Sequence, residues 1–327
     1  MDRTQYLPGL ALLCGAAVLA RAIGSVTGIE ALLIAIALGV VLVNGPGVPD
    51  ACRAGVGTHT LWLAAGIVLM GASISLAAVR EAGIVVLGVT VVVAVSTIGV
   101  VEALSRGVFG LSEKLGSLLA AGAGICGVSA VVAVAGAVRA REDQIAYAAA
   151  TVLLFDAITL VVYPVAGQLL GLSDIVFGIW AGVSMFSTGP VVAVGFAYSE
   201  AAGQWATLTK LSRNALIGVV VLVYAAVYMR TTSERRLSVR LLWAEFPTFV
   251  LGFLALAIIG SLGVFSETHR TVIDTAYNWL FLMAFVGLGT EIELHELRAA
   301  GVRPVIVVFV SLIVASTLAL SLLTLVF

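Results

Sequence analysis

The sequence is poor in charged residues. Lysine, arginine, aspartate and glutamate together make up 11% of the 327 residues, whereas a soluble domain carries about 25%. Hydrophobic residues make up 61%, and the mean hydropathy is +1.16. A chain of this composition cannot cover itself with a polar surface, which excludes an ordinary soluble protein. The composition predicts an all-α integral membrane protein.

Cysteine and histidine are also scarce. The three cysteines, Cys14, Cys52 and Cys126, lie far apart and form no CxxC pair, so neither a disulfide framework nor a structural zinc site is expected. The three histidines fall at the ends of apolar segments, and the sequence contains no GxSxG motif. These absences speak against an intramembrane enzyme, and we predict no cofactor or metal ion.

Apolar segments recur along the whole chain, separated by short polar loops. Each has roughly 20 residues, the length that crosses a ~30 Å hydrocarbon core. We predict eleven spans, at 7–26, 28–45, 57–79, 81–104, 115–139, 144–170, 174–198, 204–229, 243–265, 271–290 and 302–326. The first is expected to be a retained helix because it has no clear cleavage site. Residues 1–327 are therefore expected to form a single membrane domain whose partner is the lipid bilayer.

Lysine and arginine are more frequent in the loops on the N-terminal side of the membrane than in those on the other side. Because cytoplasmic loops carry the excess of these residues, we expect a multi-pass protein of the cell membrane with its N-terminus in the cytoplasm. The sequence leaves a homodimer open, and nothing in it indicates nucleic-acid binding.

Two segments of the chain resemble each other. Residues 69–83, LMGASISLAAVREAG, align without gaps on residues 287–301, GLGTEIELHELRAAG, with identical residues at six of fifteen positions. Chance is the alternative explanation, because Gly, Ala and Leu are frequent throughout. The first copy leaves the third predicted span and the second leaves the tenth, so the two run in opposite directions. This pattern is typical of the inverted repeats of secondary transporters.

Two predicted spans contain residues that weaken a helix. GAGICGVSA, at 122–130, places three glycines near the middle of the fifth span, where each costs roughly 1 kcal/mol relative to alanine. GVSMFSTGP, at 182–190, ends in a proline that removes a backbone hydrogen bond from the seventh span. Because irregular backbone at membrane depth must be buried in protein or line a cavity, we predict two interrupted helices that approach each other. Close packing through small residues with a proline kink is the alternative.

Interrupted helices expose backbone N–H groups and helix N-termini, which attract anions. A small anion is therefore the expected ligand. The residues expected to line its site are Gly124, Cys126, Gly127, Ser129, Ser184, Ser187, Thr188, Lys210 and Arg213.

Three charged residues fall inside predicted spans. Lys210 and Arg213 lie three positions apart on one face of the eighth span, and Asp156 lies near the middle of the sixth. A charge at the bilayer centre costs on the order of 3 kcal/mol, so such groups are usually paired or functional. We expect the two cations to face the weak segments and to hold the anion. Asp156 is a candidate for proton coupling, and a structural ion pair is the alternative.

Several motifs occur here in the order in which one transporter family carries them. They are GIVLMGASISL (66–76), AAGAGICGVSAVVAV (120–134), YP (163–164), FGIWAG (177–182), VVAVG (191–195), KLSR (210–213), GLGT (287–290) and RAAGVRP (298–304). In these motifs the chain resembles the YeiH-type sulfate exporters of the cation/proton antiporter and anion transporter superfamily. The resemblance implies two inverted halves with crossing interrupted helices, and a sulfate or sulfonate-like substrate.

The chain also departs from the pattern of that family. Phe186, Ser187 and Pro190 stand where the family carries a histidine, an acidic residue and a glutamine, and Asp156 stands where a glycine is usual. A polar signature is therefore lost from one interrupted helix while a carboxylate is gained beside it.

Taken together, the sequence predicts a secondary transporter that moves a small anion by alternating access. The nearest alternative is a sodium/proton antiporter in which Asp156 carries the cation and Lys210 is the competing charge. Anion transport would survive the removal of sodium, whereas cation exchange would not. A passive channel is a further alternative, although the inverted repeat favours alternating access.

Overall fold

The computed structural model describes residues 3–74, 76–229, 248–297 and 301–326. Within these ranges the chain forms helices and no strands, which confirms the predicted all-helical class. Seven helical stretches are long and apolar enough to cross a membrane, judged by length and composition, and shorter apolar helices occupy other predicted spans. The number of eleven spans stays a prediction, as does the single membrane domain over residues 1–327.

The helices follow one another with short connections. The first eight are α1 (Leu7–Thr27), α2 (Ala31–Asn44), α3 (Asp50–Val56), α4 (His59–Met70), α5 (Leu76–Ala103), α6 (Glu113–Ala121), α7 (Val128–Val138) and α8 (Glu142–Leu169). The next eight are α9 (Asp174–Ser184), α10 (Thr188–Tyr198), α11 (Glu200–Asn214), α12 (Ile217–Met229), α13 (Phe249–Ser261), α14 (Glu267–Thr290), α15 (Leu294–Leu297) and α16 (Val302–Val326). Single π-turns follow α5 at Leu104–Val108 and α6 at Gly122–Cys126.

Several helices begin with the same capping arrangement. Before each of α6, α9, α11 and α14 stands a serine whose hydroxyl accepts a hydrogen bond from the third helical N–H, and each of these helices opens with an acidic residue. Such a cap is worth about 1 kcal/mol, and the acidic residue interacts favourably with the positive end of the helix dipole. The starts of the helices that lead to the two weak segments and to KLSR are therefore fixed locally by the sequence.

The chain divides into two compact units, of which the first comprises residues 1–81 and 248–294. In this unit α4 and α14 pack in antiparallel direction, because Gly66 faces the ring of Phe281 while Gly287 faces His59 at the start of α4. The two similar segments leave the ends of these two helices and so start out in opposite directions. Ser75 and residues 298–300 of the two segments lie outside the described residues, as do residues 230–247 with the arginines that weigh on orientation.

Glycine also sets the distance between α2 and α14 in the first unit. A Cβ on Gly39 would lie 2.8 Å from the Cα of Gly289, so the two backbones nearly touch. One turn further on, the side-chain amide of Asn44 donates to the carbonyl of Ile292 over 2.8 Å and accepts from the N–H of Leu294 over 2.8 Å. These contacts join the end of α2 to the segment that follows α14.

The second unit comprises residues 82–247 and 295–327. Among its described residues, α11 packs tightly against both α9 and α10. A Cβ on Gly182 of α9 would lie 2.7 Å from the Cβ of Thr209, and one on Gly195 of α10 would lie 2.9 Å from the Cα of Gly203. Small residues on α9 and α10 thus let α11, which carries the KLSR motif, reach the gap between these two helices.

We predict that Gly39→Ala destabilises the folded protein. The new Cβ would meet the carbonyl oxygen of Val286 and the backbone of Gly289, and overpacking of this kind costs roughly 1–3 kcal/mol. Gly15→Ala is the matched control, because a Cβ at Gly15 meets nothing within 4 Å. Thermal unfolding in detergent should show a lower midpoint for Gly39→Ala alone, and equal midpoints for the two variants would contradict the described packing.

Candidate functional site

Both weak segments are interrupted, as the sequence predicts. After α6 the chain makes the π-turn Gly122–Cys126, and Gly127, with φ 71° and ψ −137°, breaks the helix before α7 begins. Between α9 and α10 the backbone is extended at Met185 and at Ser187, with ψ of 158° and 152°. Each predicted span is therefore a pair of half-helices joined by a short irregular segment.

The two interruptions lie against each other. A Cβ on Gly127 would collide with the hydroxyl of Ser187 and lie 3.2 Å from the Cα of that residue. The positive φ at Gly127 is itself a conformation that favours glycine. The predicted approach of the two segments is thus confirmed. We call residues 122–129 and 184–188, together with the side chains from other helices that form hydrogen bonds with them, the junction.

Lys210 of α11 is fully buried and points at the carbonyl groups of both interruptions. Its ammonium group donates to the carbonyl oxygens of Ile125 over 2.8 Å and Met185 over 3.2 Å, and also to that of Phe186. An ammonium group has three N–H donors, so these three acceptors use all of them.

Arg213 is fully buried one turn further along the same helix. Its guanidinium group donates to the carbonyl oxygens of Gly124 and Met185, each over 2.7 Å, and to that of Ala123. The carbonyls at the C-terminal end of a helix have no partners within the helix and carry partial negative charge. The two cations therefore satisfy the C-terminal ends of both first half-helices. Their predicted position beside the weak segments is confirmed, whereas direct contact with an anion stays a prediction.

Asp156 places a negative charge at the N-terminal end of a half-helix. This residue of α8 is 3% exposed, and its carboxylate accepts a hydrogen bond over 3.0 Å from the backbone N–H of Ser187, just before α10. It also interacts electrostatically with Lys210 and Arg213. A carboxylate thus lies at the positive end of one half-helix, and cations lie at the negative ends of two others.

The other predicted site residues differ in accessibility. Ser129 is exposed at the start of α7, and Ser187 and Thr188 are partly exposed at the start of α10. The first N–H groups of a helix have no acceptor within it, so these hydroxyls lie beside backbone donors. Gly124, Cys126 and Gly127 are buried in the junction, where their small size allows the neighbouring segments to approach closely.

Ser184 is the predicted site residue whose hydroxyl is engaged in packing. It accepts a hydrogen bond from the Tyr163 hydroxyl over 2.9 Å and donates to the carbonyl of Trp180. The rings of Tyr163 and Trp180 stack with their centroids 4.2 Å apart. A role for Ser184 in anion binding stays a prediction.

Asn214 also contacts the junction, although it is not among the residues predicted from the sequence. It is 4% exposed, and its side-chain nitrogen donates to the hydroxyl of Thr188 over 3.0 Å. The side-chain oxygen is buried and accepts no hydrogen bond among the described residues. Asn214 lies four positions after Lys210 and hence on the same helix face, a spacing that could have revealed it.

A second buried polar site lies in the first unit, at a histidine to which the sequence assigned no role. The ring of His59 lies between the carbonyl oxygen of Val56, 3.1 Å from Nδ1, and the carboxylate of Glu291, 3.2 Å from Nε2. This contact joins the start of α4 to the end of α14. It supports the antiparallel packing of the two helices that precede the similar segments.

Glu102 of α5 forms a further polar cluster in the second unit. Its carboxylate accepts hydrogen bonds from Arg106 over 2.6 Å, Ser117 over 2.9 Å and Tyr224 over 2.8 Å. The Glu102 and Arg106 charges balance each other, so this cluster adds no net charge to the unit. In the described ranges, no group of three or more His, Cys, Asp or Glu side chains is arranged to hold a metal ion.

We predict that Gly127→Ala disrupts the junction. The alanine would have to adopt a strained backbone conformation, which costs on the order of 1–3 kcal/mol, and its Cβ would collide with Ser187. Gly136→Ala in the following helix, α7, is the matched control, because a Cβ there meets nothing within 4 Å. Thermal unfolding in detergent should show a loss for Gly127→Ala only, and an unchanged midpoint would mean that the two interruptions are not in contact.

Comparison with known proteins places the chain in a family. A family model described as conserved hypothetical protein 698 matches residues 8–308. A membrane protein of Nitratidesulfovibrio vulgaris named UPF0324 is 33% identical over 316 residues, which cover 92% of this chain and 88% of that protein. A UPF0324 membrane protein of Clostridium tetani is 30% identical, over 77% of this chain and 79% of that protein. Another, of Pseudomonas aeruginosa, is 29% identical, over 92% of this chain and 89% of that protein. No solved structure matches the chain. The chain belongs to the conserved hypothetical protein 698 family and is similar to UPF0324 membrane proteins.

Proposed function

We propose that the protein is a secondary transporter that moves a small anion through the junction. The observation that carries the proposal is the charge buried there. With their formal charges, Lys210 and Arg213 contribute +1 each and Asp156 contributes −1, which leaves a formal net charge of +1 on side chains that are at most 3% exposed. Buried charges are screened far less than surface charges, so this excess attracts an anion to the accessible side of the junction.

Our proposal departs here from the sequence-based expectation that the two cations hold the anion, and places the anion at the starts of the half-helices. All three donors of Lys210 are committed to carbonyl groups, whereas the hydroxyls of Ser129, Ser187 and Thr188 lie on accessible surface. Backbone N–H groups and hydroxyls at a helix N-terminus bind anions through charge-assisted hydrogen bonds. Lys210 and Arg213 would then attract the anion electrostatically, without direct contact.

Interrupted half-helices that meet at a buried site are the arrangement that secondary transporters use for alternating access. The antiparallel packing of α4 with α14, which precede the two similar segments, supports an inverted repeat. The resemblance to YeiH-type sulfate exporters favours an oxyanion as substrate. Eleven spans, a location in the cell membrane and a cytoplasmic N-terminus are part of this proposal.

The sodium/proton antiporter is the weaker alternative. A sodium ion beside Asp156 would raise the buried net charge of the junction from +1 to +2, and like charges at close range in a poorly screened interior repel each other strongly. A small anion would instead reduce the same net charge. The charge balance thus favours an anion over a cation as the transported ion.

We predict that purified protein in liposomes takes up at least one small oxyanion, and that uptake survives the removal of sodium. Thr188→Val should slow uptake at least about tenfold, because a lost hydrogen bond to a charged ligand costs roughly 1.5–3 kcal/mol and 1.4 kcal/mol is a factor of about ten. Thr317→Val is the control, since its hydroxyl bonds only to carbonyls of its own helix, α16, and it should transport normally.

The same assay separates the alternatives. Loading the liposomes with unlabelled anion should accelerate uptake of the labelled anion if the protein works by alternating access. A rate of uptake that does not change with the internal anion concentration would indicate a channel. Cation exchange that requires sodium, without anion uptake, would overturn the proposal in favour of the antiporter.

A further inference from the structure

The junction contains hydrogen-bond acceptors as well as donors. The side-chain oxygen of Asn214 is buried and accepts no hydrogen bond among the described residues, and the nitrogen of the same amide donates to Thr188 over 3.0 Å. The carboxylate of Asp156 accepts from the N–H of Ser187 over 3.0 Å. Both acceptor groups are therefore one hydrogen bond away from residues 187–188, where α10 begins.

Acceptors at an anion site discriminate between kinds of anion. A fully deprotonated oxyanion such as sulfate presents only lone pairs, so it would face the Asn214 oxygen and the Asp156 carboxylate without forming a hydrogen bond to either. The buried oxygen of Asn214 would then stay without a donor, which costs free energy, and the negative charge of Asp156 would repel the anion. An oxyanion that carries an O–H group can donate to one of these oxygens while its other oxygens accept from the hydroxyls and N–H groups.

The formal charge at the junction also indicates the charge of the anion that it can bind. Lys210 and Arg213 against Asp156 leave a net charge of +1 on buried side chains, which a single negative charge offsets completely. A divalent anion would leave an excess negative charge beside the Asp156 carboxylate.

Resting on the proposed function, we propose that the transported ion is a monovalent oxyanion that carries an O–H group, such as dihydrogen phosphate, hydrogen carbonate or hydrogen sulfite. The O–H group donates to the side-chain oxygen of Asn214 or to the carboxylate of Asp156. The deprotonated oxygens accept from the hydroxyls of Ser187 and Thr188. This substrate class excludes sulfate and sulfonates, which lack such an O–H group, and is therefore narrower than the resemblance to sulfate exporters implies.

Phosphate and sulfate provide a matched pair of probes, because both are tetrahedral and of similar size, and only phosphate carries O–H groups. Uptake of each labelled ion into liposomes would be measured at mildly acidic pH, where inorganic phosphate is mainly dihydrogen phosphate. For the wild-type protein we expect phosphate uptake about tenfold faster than sulfate uptake, the factor that about 1.4 kcal/mol provides. Sulfate uptake as fast as phosphate uptake would overturn the inference and leave the proposed function standing.

Two variants test which acceptors are responsible. Asp156→Asn keeps the oxygen that faces Ser187 but adds an N–H donor, so the phosphate-to-sulfate ratio should fall about tenfold. Asn214→Leu removes the other acceptor and should also lower the ratio, which keeps the test informative if Asp156→Asn does not fold. Asp143→Asn is the control on the same helix, because Asp143 is exposed and pairs with Arg141; its ratio should not change.

The outcomes separate the two proposals. If Asp156→Asn and Asn214→Leu both fold and both keep the wild-type ratio, the acceptors do not select the substrate and the inference is wrong. If the wild-type protein carries chloride or nitrate but neither phosphate nor hydrogen carbonate, the inference fails while anion transport stands. If no anion moves at all, the proposed function fails with it.

Discussion

The hydrogen bonds from Lys210 and Arg213 to backbone carbonyls are the interactions on which the second unit depends. A helix interrupted in the interior of a protein leaves carbonyl groups without partners, and each buried carbonyl without a donor costs free energy. The two side chains donate to carbonyl groups at the ends of both interrupted helices, among them those of Ala123 and Phe186. Because of these donors the chain can break two apolar helices at one place, and the breaks in turn create two helix starts at which a ligand can bind.

The remaining features of the junction follow from that arrangement. Gly127 allows the two irregular segments to touch, since its φ of 71° and the proximity of Ser187 leave no room for a side chain. Asp156 lies at the start of α10, where a negative charge complements the helix dipole. Two cations with one carboxylate leave the site with a formal positive charge, which supports the proposed anion binding without requiring either cation to touch the ligand.

The sequence was sufficient to predict the interruptions and the residues around them. Glycine and proline have backbone effects that do not depend on the neighbours, and the spacing of Lys210 and Arg213 places them on one helix face in any fold. The acceptors of these two cations could not be predicted, because they are backbone carbonyls distant in the sequence. The spacing of four from Lys210 places Asn214 on the same helix face, but its partner, the hydroxyl of Thr188, is distant in the sequence and could not be predicted. The sequence likewise could not show that the Ser184 hydroxyl bonds to Tyr163, because that contact depends on tertiary packing. Hydropathy likewise could not show that the second predicted span contains only a short helix, Ala31–Asn44.

The central claim is that Arg213 stabilises the interrupted helices through its hydrogen bonds to backbone carbonyls. Thermal unfolding of Arg213→Met in detergent, without added anion, tests this most directly. Arg303→Met is the control, because Arg303 is exposed and makes a single long contact of 3.5 Å to the carbonyl of Phe109. Loss of the three carbonyl contacts of Arg213 should cost several kcal/mol, at roughly 1–3 kcal/mol for each buried group left without a partner. The account predicts a strongly lowered midpoint for Arg213→Met and a midpoint close to wild type for Arg303→Met. Equal midpoints for the two variants would contradict it.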